Sequence, residues 1–444
     1  MKIIQKRTFF ILTLGCSKNQ VDSDSIVQIM QNSNYQVSTK PDQAEVLIVN
    51  TCGFIKPAID ESIAEIQLLA KRKKPGQILI AAGCLTQRYR NQIADKVRGI
   101  DGIIGTRHWM DILQLLDDIK RSPGTVRYHL PQESLVSRDE KGILRASIQG
   151  ATAYLKIAEG CRRACAYCAI PLIKGTQISR PIQKIVMEAK LLEQISIQEL
   201  ILIAQDTTDY GSDLKMKDGL ATLLRMITEQ APNIPWIRIL YAFPGVVTKQ
   251  LMEVMASKPQ VLPYLDIPLQ HADPVILKKM RRPSNLESVR KMIADLRNAM
   301  PDIALRTTFI VGFPGETKEQ FQTLLDFIEE IQFDHLGAFT YFHEEGTYAQ
   351  RYGDSISEEI KLDRLERLMT LQQDISLKKN QLRVGKTMQV LIEGFNKGIS
   401  IGRTYRDAPE IDGLVFIEGK APVGDIITVK ITDALAHDLL AVTV

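Results

Sequence analysis

Apolar positions along this chain follow two rhythms. Short unbroken apolar runs stop at small or sulfur-bearing residues, and longer stretches between them repeat apolar positions every three or four residues. In the first third, FFILTLGC (9–16), VLIVNTCG (46–53) and ILIAAGCL (78–85) share one grammar, an Ile/Val/Leu run closing on a cysteine. Continuous runs of this length suit strands covered on both faces, as in parallel sheets. Helical periodicity over 21–31 and 58–74 supplies the crossovers. An open parallel sheet binds ligands beyond the carboxyl ends of its strands. Cys16, Cys52 and Cys84 all fall at that edge.

Residues 121–150 lose this periodicity and are rich in Pro, Gly, Ser and charge, which marks a boundary. From about 152 to 345 six strand–helix units follow, with strands at 153–160, 199–206, 236–243, 262–269, 303–312 and 335–342. Amphipathic segments at 182–195, 247–257, 285–299 and 317–331 lie between them. Repeated βα units build a barrel with its chemistry at the C-terminal strand ends. Six units rather than eight predict an incomplete barrel, open on one side. A long charged helix over 356–383 is expected to bury Ile360, Leu365, Leu368 and Leu371. The last stretch changes to short β-rich runs separated by glycine turns, which predicts a small five-stranded antiparallel barrel of the OB-like kind. The expected fold is thus α/β multidomain. An open parallel α/β sheet spans 5–121, a partial (β/α)6 barrel 147–377, and a small β-barrel 380–444.

A length of 444 residues agrees with about three domains. No apolar run approaches the roughly 18–20 residues of a membrane span. The opening MKIIQKRTFFILTLGC is basic and then apolar, but its apolar part is short and no small-residue cleavage site follows, so a buried first strand is expected. A cytoplasmic, membrane-free protein is the expectation. The net charge of +4 permits nucleic acid contact without arguing for it.

All six cysteines fall in two sets of three. The compact set, Cys161, Cys165 and Cys168, ends the first barrel strand with C-x3-C-x2-C spacing. Cysteine thiolates are the usual ligands of iron–sulfur clusters, and a four-iron cubane held by three of them leaves one iron open to a small chelating ligand. Zinc would want a fourth Cys or His nearby, yet no cysteine follows 168 and the next histidine is His271. Three merely structural cysteines fit this glycine-flanked loop poorly. The dispersed set, Cys16, Cys52 and Cys84, is too widely spaced for one loop, but three strand ends can converge on a point. Buried cysteines behaving as small hydrophobes explain one such residue better than three at equivalent places.

These features resemble the radical S-adenosylmethionine (SAM) superfamily, and within it the methylthiotransferases. The resemblance covers essentially the whole chain. It rests on LGCSKNQVDS (14–23), NTCGFIKPAIDES (50–62), KIAEGCRRACAYCAIP (156–171), AQDTTDYG (204–211), DIPLQHADPVILKKMRRP (266–283), RTTFIVGFPGET (306–317), EEGTYA (344–349) and DAPEIDG (407–413). It implies a radical SAM barrel, a C-terminal TRAM domain, two 4Fe-4S clusters on the two cysteine triads, and SAM as cofactor. In that family a 5′-deoxyadenosyl radical abstracts hydrogen from an unactivated carbon, and the second cluster carries the sulfur that ends, methylated, on the substrate. NTCGFI and DAPEIDG point to the branch acting on an aspartate β-carbon of small-subunit ribosomal protein twelve. KGTQISR (174–180), in place of a more usual Arg-Gly start, and YAFP (241–244) are small departures.

The resemblance also implies that Tyr167 lies by the adenine and that the turn with Gly312 and Gly315 lines the SAM site. That turn lacks the G-K-[ST] ending of a triphosphate loop, and a tight βα turn needing glycine is the plainer account. Gln205, with Asp206, and Arg306 are candidates for the SAM hydroxyls, amine and carboxylate, set against buried structural hydrogen bonds. His271 fits a buried core histidine better than an acid–base role, and no catalytic residue is assigned beyond the cluster ligands. The basic runs KRKK (71–74) and KKMRRP (278–283) fit solvated surface better than a phosphate grip. From 380 to 444 there are seven Lys and Arg against eight Asp and Glu, a net of −1. An RNA-gripping barrel should be clearly basic, whereas a slightly acidic one complements a basic protein. RNA contact is therefore permitted but not required, and a low-potential electron donor is implied. Two alternatives remain: a methylthiotransferase of transfer RNA adenosine, and a non-catalytic ribosome-associated factor.

Overall fold

The computed structural model describes residues 7–133, 136 and 141–444. Residues 1–6, which include the basic start of the opening run and the expected first-domain limit at residue 5, lie outside the described residues, as does part of the 121–150 stretch. The chain forms two compact units. The first comprises 1–147, 154–164 and 168–181, and the second 148–153, 165–167 and 182–444.

The first unit is built on a six-stranded sheet of order β2-β1-β3-β4-β5-β6. Its strands are β1 (Arg7–Thr13), β2 (Tyr35–Val37), β3 (Val46–Thr51), β4 (Ile78–Gly83), β5 (Gly102–Gly105) and β6 (Arg127–His129). Every pairing is parallel. Alternate side chains of the central strands feed two separate cores: Val46, Ile48 and Ile80 enter one, Leu47, Val49 and Leu79 the other. That two-sided burial is why these runs are apolar without alternation. Helices α1 (Ser17–Asn32), α2 (Lys56–Arg72), α3 (Cys84–Tyr89), α4 (Gln92–Lys96) and α5 (Ile112–Arg121) connect the strands. Three of the six strands match the apolar runs. The other three are three or four residues long, and β6 lies inside the stretch whose composition reads as a boundary.

The second sheet runs β15-β14-β13-β12-β11-β8-β7. Five of its strands follow chain order as the βα repeat predicts: β11 (Glu199–Ile203), β12 (Trp236–Ile239), β13 (Val261–Asp266), β14 (Ala304–Val311) and β15 (His335–Thr340). These pair in parallel. Strands β7 (Ala146–Gln149) and β8 (Thr152–Lys156) complete the other edge, so the sheet does not close. A short ribbon pairs β9 (Ala158–Glu159) with β10 (Ile178–Ser179), and α6 (Ile170–Lys174) lies between them in the chain. Helices α7 (Ile182–Gln194), α8 (Gly219–Gln230), α9 (Lys249–Ser257), α10 (Pro274–Lys279), α11 (Leu286–Ala299) and α12 (Lys318–Ile331) alternate with the strands. Thr317 and Gln320 close a capping box at the start of α12, satisfying two amide donors that a helix start otherwise leaves open.

Helix α13 (Glu358–Gln381) departs from the expected apolar stripe. Ile360 is 45% exposed, and the buried face carries Lys361, Arg364, Leu368, Gln372, Ile375 and Asn380. Those polar groups meet backbone carbonyls and carboxylates. Gln372 donates to Phe333 O and Arg364 pairs with Glu316.

The closing barrel is β16 (Thr387–Asn396), β17 (Ile399–Thr404), β18 (Val415–Glu418), β20 (Leu439–Thr443) and β19 (Ile426–Ala434), closed in that order. Buried charges tie it to the strands of the second unit. Arg403 Nη2 donates to Glu199 Oε2 at 2.7 Å, and Arg238 Nε donates to the other oxygen of Glu199 at 2.6 Å. Asp412 accepts from Tyr264 Oη at 2.6 Å, Arg306 Nε at 3.2 Å and Ala408 N at 2.9 Å. The DAPEIDG stretch is therefore an anchor, since both Asp407 and Asp412 are buried in pairings.

Candidate active site: two cysteine triads

Strands β1, β3 and β4 are neighbours in the first sheet, so their carboxyl ends lie side by side. Cys16 follows β1 as the N-cap of α1, Cys52 follows β3 directly, and Cys84 opens α3 at the end of β4. Close backbone approaches set the three loops. A Cβ at Gly15 would stand 3.1 Å from Cys52 Sγ, and one at Gly53 would stand 2.7 Å from the backbone of Leu85. Side chains brace the loops too. Asn19 Nδ2 donates to Leu14 O at 2.6 Å, Asn50 Nδ2 donates to Ser23 Oγ at 2.8 Å, and Ser62 Oγ both accepts from Cys52 N and donates to Cys52 O. Burial pushes the Cys84 thiol up to about 12 and raises that of Cys52. Burial opposes ionisation of Cys16 as well, but Lys18, the Asn19 amide, Lys174 and Lys156 outweigh it and leave that thiol below its usual range.

The C-x3-C-x2-C loop begins at Gly160, whose φ of +74° and contact with Thr176 O leave no room for a side chain. Cys161 N donates to Gly175 O at 3.0 Å. Amides then face two of the sulfurs: Arg163 N lies 3.4 Å from Cys161 Sγ, and Ile170 N lies 3.5 Å from Cys168 Sγ. The central segment is held by the second unit's backbone, with Ala166 N donating to Met280 O and Ala349 N donating to Ala166 O. Arg282 Nη1 reaches Cys165 Sγ at 3.7 Å while its guanidinium lies 4.1 Å from the centre of the Phe243 ring. Tyr167 is half-buried against Ala166, Ile276, Met280, Phe313 and Tyr341.

Each triad offers three thiols, none of them in a disulfide. Among the described residues, the one trio of potential metal ligands drawn within 4.8 Å of one another is His108, Asp111 and His129, not Cys16, Cys52 and Cys84. A single zinc with bonds of about 2.3 Å would hold its thiolates roughly 3.8 Å apart. Three thiols without a fourth protein ligand are the donor set that an iron–sulfur cubane takes. The His108–Asp111–His129 group is already saturated: Lys141 and both histidines share the Asp111 carboxylate.

Comparison with known proteins gives the family. Residues 8–105 match the uncharacterized protein family UPF0004, 155–328 the radical SAM superfamily and 384–444 the TRAM domain. The ribosomal protein uS12 methylthiotransferase RimO of Chloroflexus aurantiacus is 43% identical, with 97% of this chain and 98% of that protein covered. Those of Geobacter sulfurreducens and Desulforamulus reducens are 42% and 43% identical, each over at least 97% of both chains. This chain belongs to the RimO family. It is accordingly a radical SAM methylthiotransferase, of a class that uses SAM and 4Fe-4S clusters. The radical SAM methyltransferase TsrM of Kitasatospora setae, solved with cobalamin and a 4Fe-4S cluster, shares the fold, with a TM-score of 0.57 at 13% identity and coverage of 78% of this chain and 77% of that one.

The remaining candidate residues of this RimO-family chain divide. Gly312 (φ +74°) and Gly315 (φ +79°) form a tight turn just after β14. Glu316 Oε2 accepts from both Gly312 N and Phe313 N, so the amides that a phosphate would need are already engaged. Burial pushes the Glu316 carboxyl up to about 7. Gln205 lies two residues beyond β11, at the carboxyl edge. Arg306 does not: it is the third residue of β14, five short of the strand's end. Its guanidinium is committed to Asp266 at 3.0 Å and Asp412 at 3.2 Å. His271 is buried, its Nδ1 accepting from Asp273 N, and burial pushes its pKa down to about 3. The KKMRRP run is not wholly surface, because Arg282 turns inward to Cys165. The Met280 side chain buried two residues earlier was the available signal. Among the described residues, no helix is long and apolar enough to cross a membrane.

Proposed function

We propose that each cysteine triad holds one 4Fe-4S cluster, and that together they methylthiolate an aspartate β-carbon of ribosomal protein uS12. The observation that carries this reading is the adjacency of β1, β3 and β4, which gathers Cys16, Cys52 and Cys84 at one sheet edge in addition to the compact triad. Cys161, Cys165 and Cys168 would hold the SAM-binding cluster, and Cys16, Cys52 and Cys84 the one carrying sulfur. When bound, cluster and SAM supply radical chemistry at an unactivated C–H bond.

The chain's own residues hold and shield. The Arg163 and Ile170 amides and Arg282 direct donors at the sulfurs, which stabilises negative charge there. Tyr167, Gln205 and the Gly312–Gly315 turn would line the SAM site, with the turn's shape fixed internally by Glu316. Arg306 fastens the closing barrel. The division into 5–121, 147–377 and 380–444 would assign sulfur supply, radical generation and substrate handling to successive stretches.

The relatives' names support uS12 as the substrate, and so does charge. With the buried side chains of Arg403, Arg406, Asp407 and Asp412 set aside, the barrel's remaining charged groups are five basic and six acidic. That surface complements a basic protein better than RNA, although a TRAM domain is compatible with RNA contact. A low-potential electron donor and a cytoplasmic location complete the reading. The test supplies reconstituted enzyme with SAM, sulfide and reductant, and offers uS12 and transfer RNA in parallel. Mass spectrometry should find a methylthio gain on uS12. A gain on transfer RNA alone would overturn the substrate assignment.

A further inference from the structure

The KKMRRP run sends two consecutive arginines in opposite directions. Helix α10 ends in a left-handed turn: Arg282 N donates to Leu277 O, Arg281 N donates to Lys278 O, and Arg281 has a φ of +56°. Glycine is the usual residue at that place, because a side chain there strains the backbone. Arg282 turns inward to Cys165. Arg281 stays exposed and lays its guanidinium on Tyr348, 3.3 Å from the ring centre. The guanidinium of Arg351 lies 3.5 Å from the same centre. Two groups that close to one centre must take opposite faces of the ring. Tyr348 and Arg351 sit one turn apart in a short 3-10 helix, Tyr348–Tyr352, which sets their spacing. Lys278, also exposed, adds a third cation. Among the described residues, none of these three cations is in a salt bridge. Strain accepted to hold a cation at the surface points to a use for that cation.

The stack is fastened to the cysteine loop from both sides. Ala166 N donates to Met280 O at 2.9 Å, and Met280 precedes Arg281. Ala349 N donates to Ala166 O at 2.7 Å, and Ala349 follows Tyr348. Ala166 itself follows Cys165, and all of these residues belong to the second unit. Arg281 and Tyr348 are therefore each one peptide link and one hydrogen bond from the residue beside Cys165. Electron transfer falls off steeply with distance, so an outside donor reaches a cluster through the exposed surface nearest its ligands. Guanidiniums laid on a ring lose less freedom on binding and keep N–H edges open to carboxylates. Redox encounters between proteins are small and steered by charge. The same cations repel a basic ribosomal protein, so the substrate is not the partner this surface fits.

We propose that Arg281, Tyr348 and Arg351 form the docking surface for an acidic electron-carrier protein with a low-potential flavin or iron–sulfur centre. This rests on the reading that Cys161, Cys165 and Cys168 hold the SAM-binding cluster. In each encounter the carrier is oxidised by one electron and the cluster reduced by one, and no bond of the three docking residues is made or broken.

The test uses full-length, anaerobically reconstituted enzyme with SAM and reads the initial rate of 5′-deoxyadenosine formation. Reduced carriers, an acidic flavodoxin or a bacterial ferredoxin, are compared with photoreduced deazaflavin, which is small and uncharged. Wild type forming no 5′-deoxyadenosine with deazaflavin sinks the triad reading itself. Arg281→Gln with Arg351→Gln should lower kcat/KM for the carrier about tenfold at low salt. The loss should lie in KM, with kcat and the deazaflavin rate unchanged. Arg281→Lys with Arg351→Lys should keep most of the wild-type rate. Added salt should slow the wild type with carrier and narrow its lead over the glutamine variant. A merely structural stack would slow both kinds of donor alike. Equal carrier kinetics in wild type and glutamine variant overturn the proposal, as does failure of both carriers to reduce wild type. Weaker binding of RNA with carrier kinetics unchanged would assign the surface to nucleic acid, which also overturns it. If the glutamine variant takes up no iron, Lys278→Glu decides: slower reaction with carrier alone supports the proposal, and an unchanged one overturns it.

Discussion

Asp412 offers a quantitative test of how the closing barrel is anchored. Its carboxylate, 1% exposed, accepts from the Tyr264 hydroxyl, the Ala408 amide and Arg306. Asp412→Ala leaves the hydroxyl and the amide buried without that acceptor, at about 1–3 kcal/mol each. Arg306 keeps Asp266 as a partner, so its loss adds less, and the total is about 4 kcal/mol. At about 2 °C per kcal/mol for a unit of this size, the second unit's calorimetric transition in metal-free protein should fall by about 8 °C. Asp412→Asn keeps one acceptor and should lose about half as much. At a temperature where both are folded, Asp412→Asn should bind uS12 as the wild type does. An Asp412→Ala protein melting within about 1 °C of wild type would refute the anchoring argument. If DAPEIDG instead read the substrate, Asp412→Asn would spare the melt and weaken uS12 binding.

Gly312→Ala places a Cβ 2.4 Å from Lys361 Cγ at a φ of +74°; 5′-deoxyadenosine formation should fall at least about tenfold through the distorted turn, and a fully active variant contradicts its place in the SAM site. His271, pushed down to about 3 from 6.5 by burial, stabilises the fold above pH 6.5 and loses that contribution as the pH falls toward 3. At about 1.4 kcal/mol per unit, the difference in unfolding free energy between wild type and His271→Leu in urea should change by about 2 kcal/mol between pH 6.5 and 5; a pH-independent difference refutes this. Arg282→Met removes a cation from Cys165, so the midpoint potential of the second-triad cluster in a redox titration should become more negative. An unchanged midpoint removes Arg282 from the site.

Much of the architecture is legible in the sequence, because burial on both faces forces unbroken apolar runs at β1, β3 and β4, and strand–helix alternation repeats through the partial barrel. Short strands such as β2 and β6 escape notice, since three residues pair without needing an apolar run. The α13 stripe misleads for a related reason: its buried face meets carbonyls and carboxylates, and long polar side chains serve there where leucine would leave acceptors unpaired. Strand order is what spacing cannot give. The 36- and 32-residue gaps between Cys16, Cys52 and Cys84 become proximity only because β1, β3 and β4 are neighbours. Arg306 shows the converse, since its place within a strand gave no hint of Asp412, 106 residues further on, which claims it. The stack of Arg281 and Arg351 on Tyr348 was equally hidden, since the KKMRRP and EEGTYA stretches meet only in the fold.

The central claim is that two separate triads each hold a four-iron cluster, and iron analysis with Mössbauer spectroscopy tests it most directly. Reconstituted wild type should hold about eight irons per chain. The triple alanine variants of Cys16, Cys52 and Cys84, and of Cys161, Cys165 and Cys168, should each hold about four. About four irons in wild type, with none lost when Cys16, Cys52 and Cys84 are replaced, would contradict the account.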